Sequence, residues 1–515
     1  MASGFIVRKN RYYDSVFLMG VDRRLSQLPG VRQTAVLMAS ENNKRFLAEM
    51  GIRGAELDAA QADDLIVAVI ADRPKLVEQV LGNLLDEALM SLETSTRVSD
   101  LRTLEEGLRA APTANLAVLT IPGEYVDREA QAALESGLNL FIFSSNVPLE
   151  AERKLKQFAS ERKLLVMGPD CGTSILNGVG VGFANVVRRG SIGVIGSSGT
   201  GLQEFTCQIH NAGHGISQAI GTGSHDLSDE IGGITTFMAL DALESDPPSE
   251  VIAIIGKPPG SETLKRLVSR LEASSKPIVA CLLGRPVVEG PTRGNVHWVR
   301  TIDAAVQAAI QLPILQANPL GDLLSAEELE LAKDLRTART SNQRDLRGLF
   351  AGGTFCYQSQ LILAEAGLTV YSNAPLEKEF KLTDPNRSQE HTLIDMGDEV
   401  FTLGRPHPMI DGTLRRQRVL AECSDPSVAV LLLDFILGFN AAMDPVGEIL
   451  EAIIEGKRRR QKLTGQPTVV ASICGTEGDA QDLSLQSKLL REAGVCLFNS
   501  NAKAAAFCSE LLKDA

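Results

Sequence analysis

The chain has 515 residues, 44% of them hydrophobic and 22% charged, with a net charge of −13 at pH 7. That length exceeds what one core supports, so three or four domains are expected, and the apolar share leaves no room for a large disordered region. The acidic balance excludes general nucleic-acid binding, and the one basic run, Lys457 to Arg460 with Lys462, reads as a solvated helix end.

The opening MASGFIVRKNRYYDS has no apolar stretch of signal-peptide length, and the most apolar segment, VAVLLLDFILGF, is short and carries Asp434. A cytoplasmic protein without a membrane span is expected. Eight cysteines lack CxxC or metal-ligand spacing, so they read as reduced core residues and no metal is expected.

In chain order, residues 1–92 alternate strand and helix patterns and suit a small α+β domain, such as a ferredoxin-like one, for docking or regulation. Residues 93–112 are polar and suit a linker with a surface helix. Residues 113–186 read as parallel βαβ units, a partial Rossmann-like domain with no glycine-rich first turn. Its last turn, GPDCGTSILNG at 168–178, offers Asp170 and Cys171 to a cleft or is ordinary turn chemistry.

Residues 191–213, SIGVIGSSGTGLQEFTCQIHNAG, give a β-branched strand, a turn of small residues and an amphipathic helix. Gly196, Gly199 and Gly201 leave backbone N–H groups unshielded, and Ser197, Ser198 and Thr200 add hydroxyl donors at the helix start. Such a turn suits a phosphoryl or carboxylate group, because a helix N-terminus carries roughly half a positive charge. GK[ST] is absent and the glycine spacing is not GxGxxG, so this is neither a Walker loop nor a dinucleotide fingerprint. Downstream, His225 and Asp226 occupy a glycine-rich loop expected to line the cleft. His210 and His214 on the helix read as surface or capping groups.

The same grammar returns in RGLFAGGTFCYQSQLILAEAG at 347–367, where Gly352, Gly353 and Thr354 form the turn. LESDPPSEVIAIIG is answered by AECSDPSVAVLLL, and KPIVACLLG by QPTVVASICG, which makes residues 187–312 and 345–515 a duplicated pair of α/β domains joined by a linker helix in 313–344. Two related helix starts can then face one shared anion. The second copy adds GRPHPMID at 404–411, in which His407 suits general acid–base work or a turn bond, Asp411 lies close by, and Arg405 suits a carboxylate clamp. Asp434 interrupts an apolar strand near its carboxyl end, where open α/β sheets bind ligands.

The order GPDCGT, IGVIGSSGTGLQE, GTGSHDLSDEIGG and LESDPPSEVIAIIGKPPG resembles the α subunit of succinyl-CoA synthetase, and LFAGGTFCYQSQ resembles the glycine turn of that enzyme's β-subunit carboxy-terminal domain. With GRPHPMID, DFILGF and DPVG, the chain resembles the FdrA family over nearly its full length. The resemblance implies a CoA-binding-type domain at 113–186, two flavodoxin-like synthetase-type domains, and possible binding of CoA and of phosphate or an acyl phosphate. It also implies homo-oligomers or complexes with operon-type partner subunits, and a small carboxylate or acyl-phosphate substrate.

In the synthetase two helix starts face a phosphorylated histidine. Here the corresponding loop, GRPVVEGPTRGNVHWVRT, holds only His297, which reads as structural; Lys257 stands where the synthetase has a glutamate, and no ATP-grasp domain is evident. Three readings follow: acyl-phosphate and acyl-CoA chemistry; carbamoyl transfer from carbamoyl phosphate to an acid such as oxamate, with which the FdrA family has been associated; and a non-catalytic scaffold.

Overall fold

The computed structural model describes residues 2–11, 13, 15–26, 28–61, 64–89, 101–284, 295–312, 323–403, 405–461 and 465–513. Parts of both expected linkers (93–100 and 313–322), loop residues 285–294, Gly404 and Lys462 lie outside the described residues.

Two compact units divide the chain, one of residues 1–110 with Leu403–Arg405, the other of the remainder. The first is an antiparallel sheet of β1 (Ala2–Arg8), β2 (Val31–Met38) and β3 (Leu65–Ala71), in the order β1-β3-β2. In β3, Leu65, Val67 and Val69 pack with Leu18, Val21 and Val77, while Ile66 and Ala68 pack with Leu47, Ile52 and Leu57. The period of two gives each sheet face its own apolar layer.

The second unit begins with a parallel sheet of β4 (Leu116–Leu119), β5 (Asn139–Ile142) and β6 (Val166–Met167), linked by the helices Gly123–Glu135 and Leu149–Glu161. The hairpin of β7 (Thr173–Leu176) and β8 (Val179–Gly182) then joins the next sheet, through antiparallel pairing of β7 with β10 (Ile216–Gly221). That sheet therefore draws in residues upstream of position 187.

Its parallel part runs β10, β9 (Arg189–Gly196), β11 (Val251–Gly256), β12 (Ile278–Leu282), β13 (Val296–Trp298). Numbered from β9 this is 2-1-3-4-5, the flavodoxin-like order. The following sheet repeats it with β16 (Thr392–Asp395), β14 (Asp345–Phe350), β17 (Val428–Ile436), β18 (Thr468–Cys474) and β19 (Cys496–Phe498), adding β15 (Tyr371–Ser372) outside β16. The repeated motifs are thus repeated topology. All six residues of β11 and all nine of β17 are buried, as expected for parallel strands covered on both faces.

The first repeat and the residues leading into it are bonded directly to the second. Asn185 Nδ2 donates to Leu437 O and to Asp479 Oδ2, each at 2.8 Å. His210, expected as a surface or capping group, is buried in this seam: its Nδ1 accepts from Arg188 N at 2.9 Å and its Nε2 lies 2.8 Å from Glu477 Oε1. The apolar face of its helix packs inward and carries the ring with it. The basic run also departs from expectation, since Arg460 turns inward and donates to Asp425 O and Val428 O at 2.8 and 2.7 Å.

Candidate functional site

Both glycine turns stand at the carboxyl ends of parallel strands, Gly196 closing β9 and Phe350 closing β14. The helix Gly199–Asn211 starts with Ser198 as N-cap, whose Oγ accepts from Gly201 N at 3.0 Å. The helix Gly353–Glu365 starts opposite it. Ser198 Oγ and Thr354 Oγ1 are hydrogen-bonded, and a Cβ on Gly352 would lie 3.0 Å from Thr200 Cγ2. The structure therefore brings the two turns together.

Their donors are unequally used. Ala351 N and Gly352 N donate to the Asp434 carboxylate at 2.9 and 2.8 Å, so the second turn holds a resident anion. Among the described residues, the N–H groups of Gly199, Thr200, Gly353 and Thr354 have no protein acceptor. Burial raises the Asp434 carboxyl above the ordinary range, against the pull of Arg415 and of those backbone bonds. Arg415, itself buried, donates to Asp434 Oδ1 at 2.7 Å. Asp434 organises the turn rather than meeting solvent.

A crevice beside the first turn is lined by Asp170, Cys171, Thr173, Ser197, Ser198 and Gly199, with Gly221 and Gly223 behind. Thr173 is 1% exposed and its Oγ1 has no hydrogen-bond partner among the described residues. That hydroxyl lies 3.3 Å from the point where a Gly199 Cβ would begin, so the side chain is aimed at the helix start. A buried hydroxyl without a partner costs roughly 1–3 kcal/mol, which a bound anion would offset. Asp170 keeps an exposed edge, yet the protein around it withdraws solvent and pushes its carboxyl up, while Ser224, His225 and Lys257 pull it down. Burial pushes the Cys171 thiol up to about 12, so this cysteine is a wall and not a nucleophile.

Across the turns lies a residue that the sequence reading did not single out. Asp395 closes β16, and a Cβ on Gly353 would come within 2.5 Å of its Oδ2. Burial pushes its carboxyl up to about 6 despite the opposing charge of Lys257. Lys257 follows β11 and its Nζ lies 5.5 Å from the centre of the Tyr357 ring. His407 reaches the same place, because a Cβ on Gly397 would lie 2.7 Å from His407 Nε2 and 3.2 Å from Asp395 Oδ1. His407 Nδ1 accepts from Met409 N at 3.2 Å, which leaves the imidazole proton on Nε2, and burial lowers the ring to about 4. At neutral pH it is an uncharged donor.

The other expected residues are placed elsewhere. Arg405 belongs to the N-terminal unit, its guanidinium 6.0 Å from the centre of the Phe46 ring. Asp411 Oδ1 accepts from Thr413 N at 2.7 Å and serves the start of the helix Thr413–Ser424. Asp226 is fully buried; it accepts from Thr235 N and Thr236 N and from Lys156 Nζ at 2.8 Å. Lys156 also donates to Glu152 Oε1 at 2.8 Å, and His225 Nδ1 lies 3.4 Å from Glu152 Oε2. The GSHD loop is thus fastened by a buried ion triad, with Ser224 and His225 at the surface. His297 lies on β13, pushed down by burial.

Asp395 left one local signal, an acidic residue ending a β-branched strand just before MGD. Thr173 left none, because it looks like any turn threonine.

Comparison with known proteins supplies the family. A CoA-binding domain model matches residues 187–284, a CoA-ligase model residues 349–511, and a model described as AllF, heavy metal-associated domain, residues 1–103. The CoA-binding match falls on the repeat carrying the first glycine turn rather than on 113–186. Residues 1–103 contain neither cysteine nor histidine, and no cluster of metal-ligating side chains occurs among the described residues. The uncharacterized protein YahF of Escherichia coli is 39% identical over 512 residues, covering 99% of each chain. The succinate–CoA ligase [ADP-forming] subunit alpha of Methanothermobacter thermautotrophicus is 26% identical over 35% of this chain, which spans 61% of that relative. The malate–CoA ligase subunit alpha of Methylorubrum extorquens is 26% identical over 42% of this chain and 75% of its own length. The chain belongs to the FdrA-like family of acyl-CoA synthetases, whose CoA-binding and CoA-ligase domains it carries in series.

Proposed function

We propose that this chain is an enzyme subunit that exchanges an acyl group between phosphate and CoA. The observation that supports this reading most directly is the contact between Ser198 and Thr354, which joins two helix N-termini around one set of open donors. The N–H groups of Gly199, Thr200, Gly353 and Thr354, with the hydroxyls of Ser198, Thr354 and Thr173, would hold the phosphoryl group. As an acyl phosphate reacts, charge gathers on the departing phosphate, and preformed donors stabilise it without reorganising. Lys257 adds a positive charge beside them. CoA would supply the thiol that takes the acyl group. The relatives named as α subunits support a complex with partner subunits.

The test is calorimetric titration with acetyl phosphate, CoA and carbamoyl phosphate, on the unaltered chain and on Gly199→Val/Gly353→Val. A Cβ on Gly353 would meet Asp395 at 2.5 Å, and one on Gly199 would meet Gly172 and Thr173 at 3.3 Å. Binding of acetyl phosphate and CoA is expected, with acetyl phosphate weakened at least about tenfold in the double variant. Undiminished binding in that variant would remove the shared-anion site. Binding of carbamoyl phosphate with no response to CoA would replace this reading with carbamoyl transfer.

A further inference from the structure

Asp395 is a second carboxylate at the start of the helix Gly353–Glu365, where Asp434 already takes the Ala351 and Gly352 N–H groups. A helix start gains from one resident anion, so capping does not account for Asp395. Its two oxygens differ. Oδ1 accepts from Gly397 N at 2.9 Å, whereas Oδ2 has no hydrogen-bond partner among the described residues and faces Gly353. The residue is also braced through its backbone: Asn373 Nδ2 donates to Asp395 O, and Asp395 N donates to Asn373 Oδ1, both at 2.9 Å.

One fixed oxygen, one open oxygen, open N–H groups at Gly353 and Thr354, a hydroxyl pair and a neighbouring lysine make up an arrangement suited to a carboxylate nucleophile. We propose that Asp395 Oδ2 accepts a phosphoryl group from a small acyl phosphate held between the two turns, an inference that rests on the phosphate-site reading above. Oδ2 bonds to phosphorus as the bond from phosphorus to the acyl oxygen breaks. The acyl carboxylate leaves with that electron pair, and no proton moves. One mixed anhydride replaces another, so no further co-reactant is required. Lys257 and the N–H groups of Gly353 and Thr354 bear the charge of the transferred group. His407, uncharged and with its proton on Nε2, stands on the Oδ1 side, away from the open oxygen.

The experiment incubates the full chain with acetyl phosphate labelled with ³²P and follows protein-bound label, with acetyl phosphate binding measured separately by calorimetry. Label approaching one per chain is expected, released by hydroxylamine as acyl phosphates are. Borohydride reduction followed by peptide mapping should place homoserine at position 395 in the unaltered protein. Asp395→Asn should abolish the label, and Ser198→Ala with Thr354→Val should slow labelling at least tenfold. Because mapping uses the unaltered chain, a variant that fails to fold does not decide the outcome. Binding without labelling, or label on another residue, overturns the role of Asp395 and leaves the phosphate site standing. Absence of binding overturns both.

Discussion

Arg415 Nη2 donates to Asp434 Oδ1 at 2.7 Å inside a core where both side chains are buried, and the same carboxylate fastens the Ala351 and Gly352 N–H groups. A charge set within an all-apolar strand is thereby tied to the shape of the second glycine turn. Removing one partner of a buried pair leaves the other unmatched, which costs about 3–5 kcal/mol. Asp434→Ala should therefore lower the unfolding free energy measured by urea melts by that amount, and with it the midpoint, and Asp434→Asn by less, because its amide oxygen still accepts from backbone. Equal midpoints for the unaltered chain and Asp434→Ala would show that the pair does not support the fold.

How far the chain could be read in advance follows from the range of each interaction. The glycine turns were legible because strand, small residues and helix follow one another within a few positions, and the repetition doubled the signal. The two α/β domains followed from the alternation of apolar runs with amphipathic helices, and their flavodoxin-like order from the family resemblance. Asp395 was not legible as a site residue, because its environment is assembled from Gly353, Gly397 and Lys257 on different elements. Lys156 was hidden for the same reason: its helix, LEAERKLKQFASE, looks like a solvent face, yet its partner Asp226 lies 70 residues away.

That lysine gives a second stability prediction. Burial alone would drive Lys156 down, but Asp226 and Glu152 outweigh it and hold the ammonium charged. Lys156→Met leaves two carboxylates facing each other in the core, so a loss of about 3–5 kcal/mol is expected. Lys265→Met removes an exposed pair with Glu262 and should cost at most about 1 kcal/mol. Urea melts of the two variants compare them directly, and similar losses would contradict the burial argument.

The thiols should separate by accessibility. Burial pushes Cys171 and Cys423 up to about 12, whereas Cys496 is only partly buried. Thiolate is the reactive form. Alkylation with iodoacetamide at pH 8, read by mass spectrometry, should mark Cys496 first and leave Cys171 and Cys423 unmodified until the chain is denatured. Early modification of Cys171 would mean that the crevice wall is chemically open.

A pair of acids at the seam between the repeats predicts a pH dependence of known sign. Glu204 Oε1 accepts from Asn501 N at 2.7 Å, while Glu204 Oε2 and Asp303 Oδ2 have no hydrogen-bond partner among the described residues. Burial first, and then the charge of Asp303, pushes Glu204 up to about 8; burial also raises Asp303, against Ser500, Gln208 and Lys503. The folded chain therefore keeps protons that the unfolded chain releases from an ordinary Glu value of 4.5 upward. Stability contributed by this pair is complete below that value and is lost as pH rises toward about 8. Glu204→Gln cannot release the proton. Its melting temperature should match that of the unaltered chain near pH 5 and exceed it at pH 9, by a margin on the order of a few kcal/mol in free energy. Parallel melting curves across that range would show that Glu204 ionises normally, and the seam would then have to carry two charged carboxylates side by side without a countercharge.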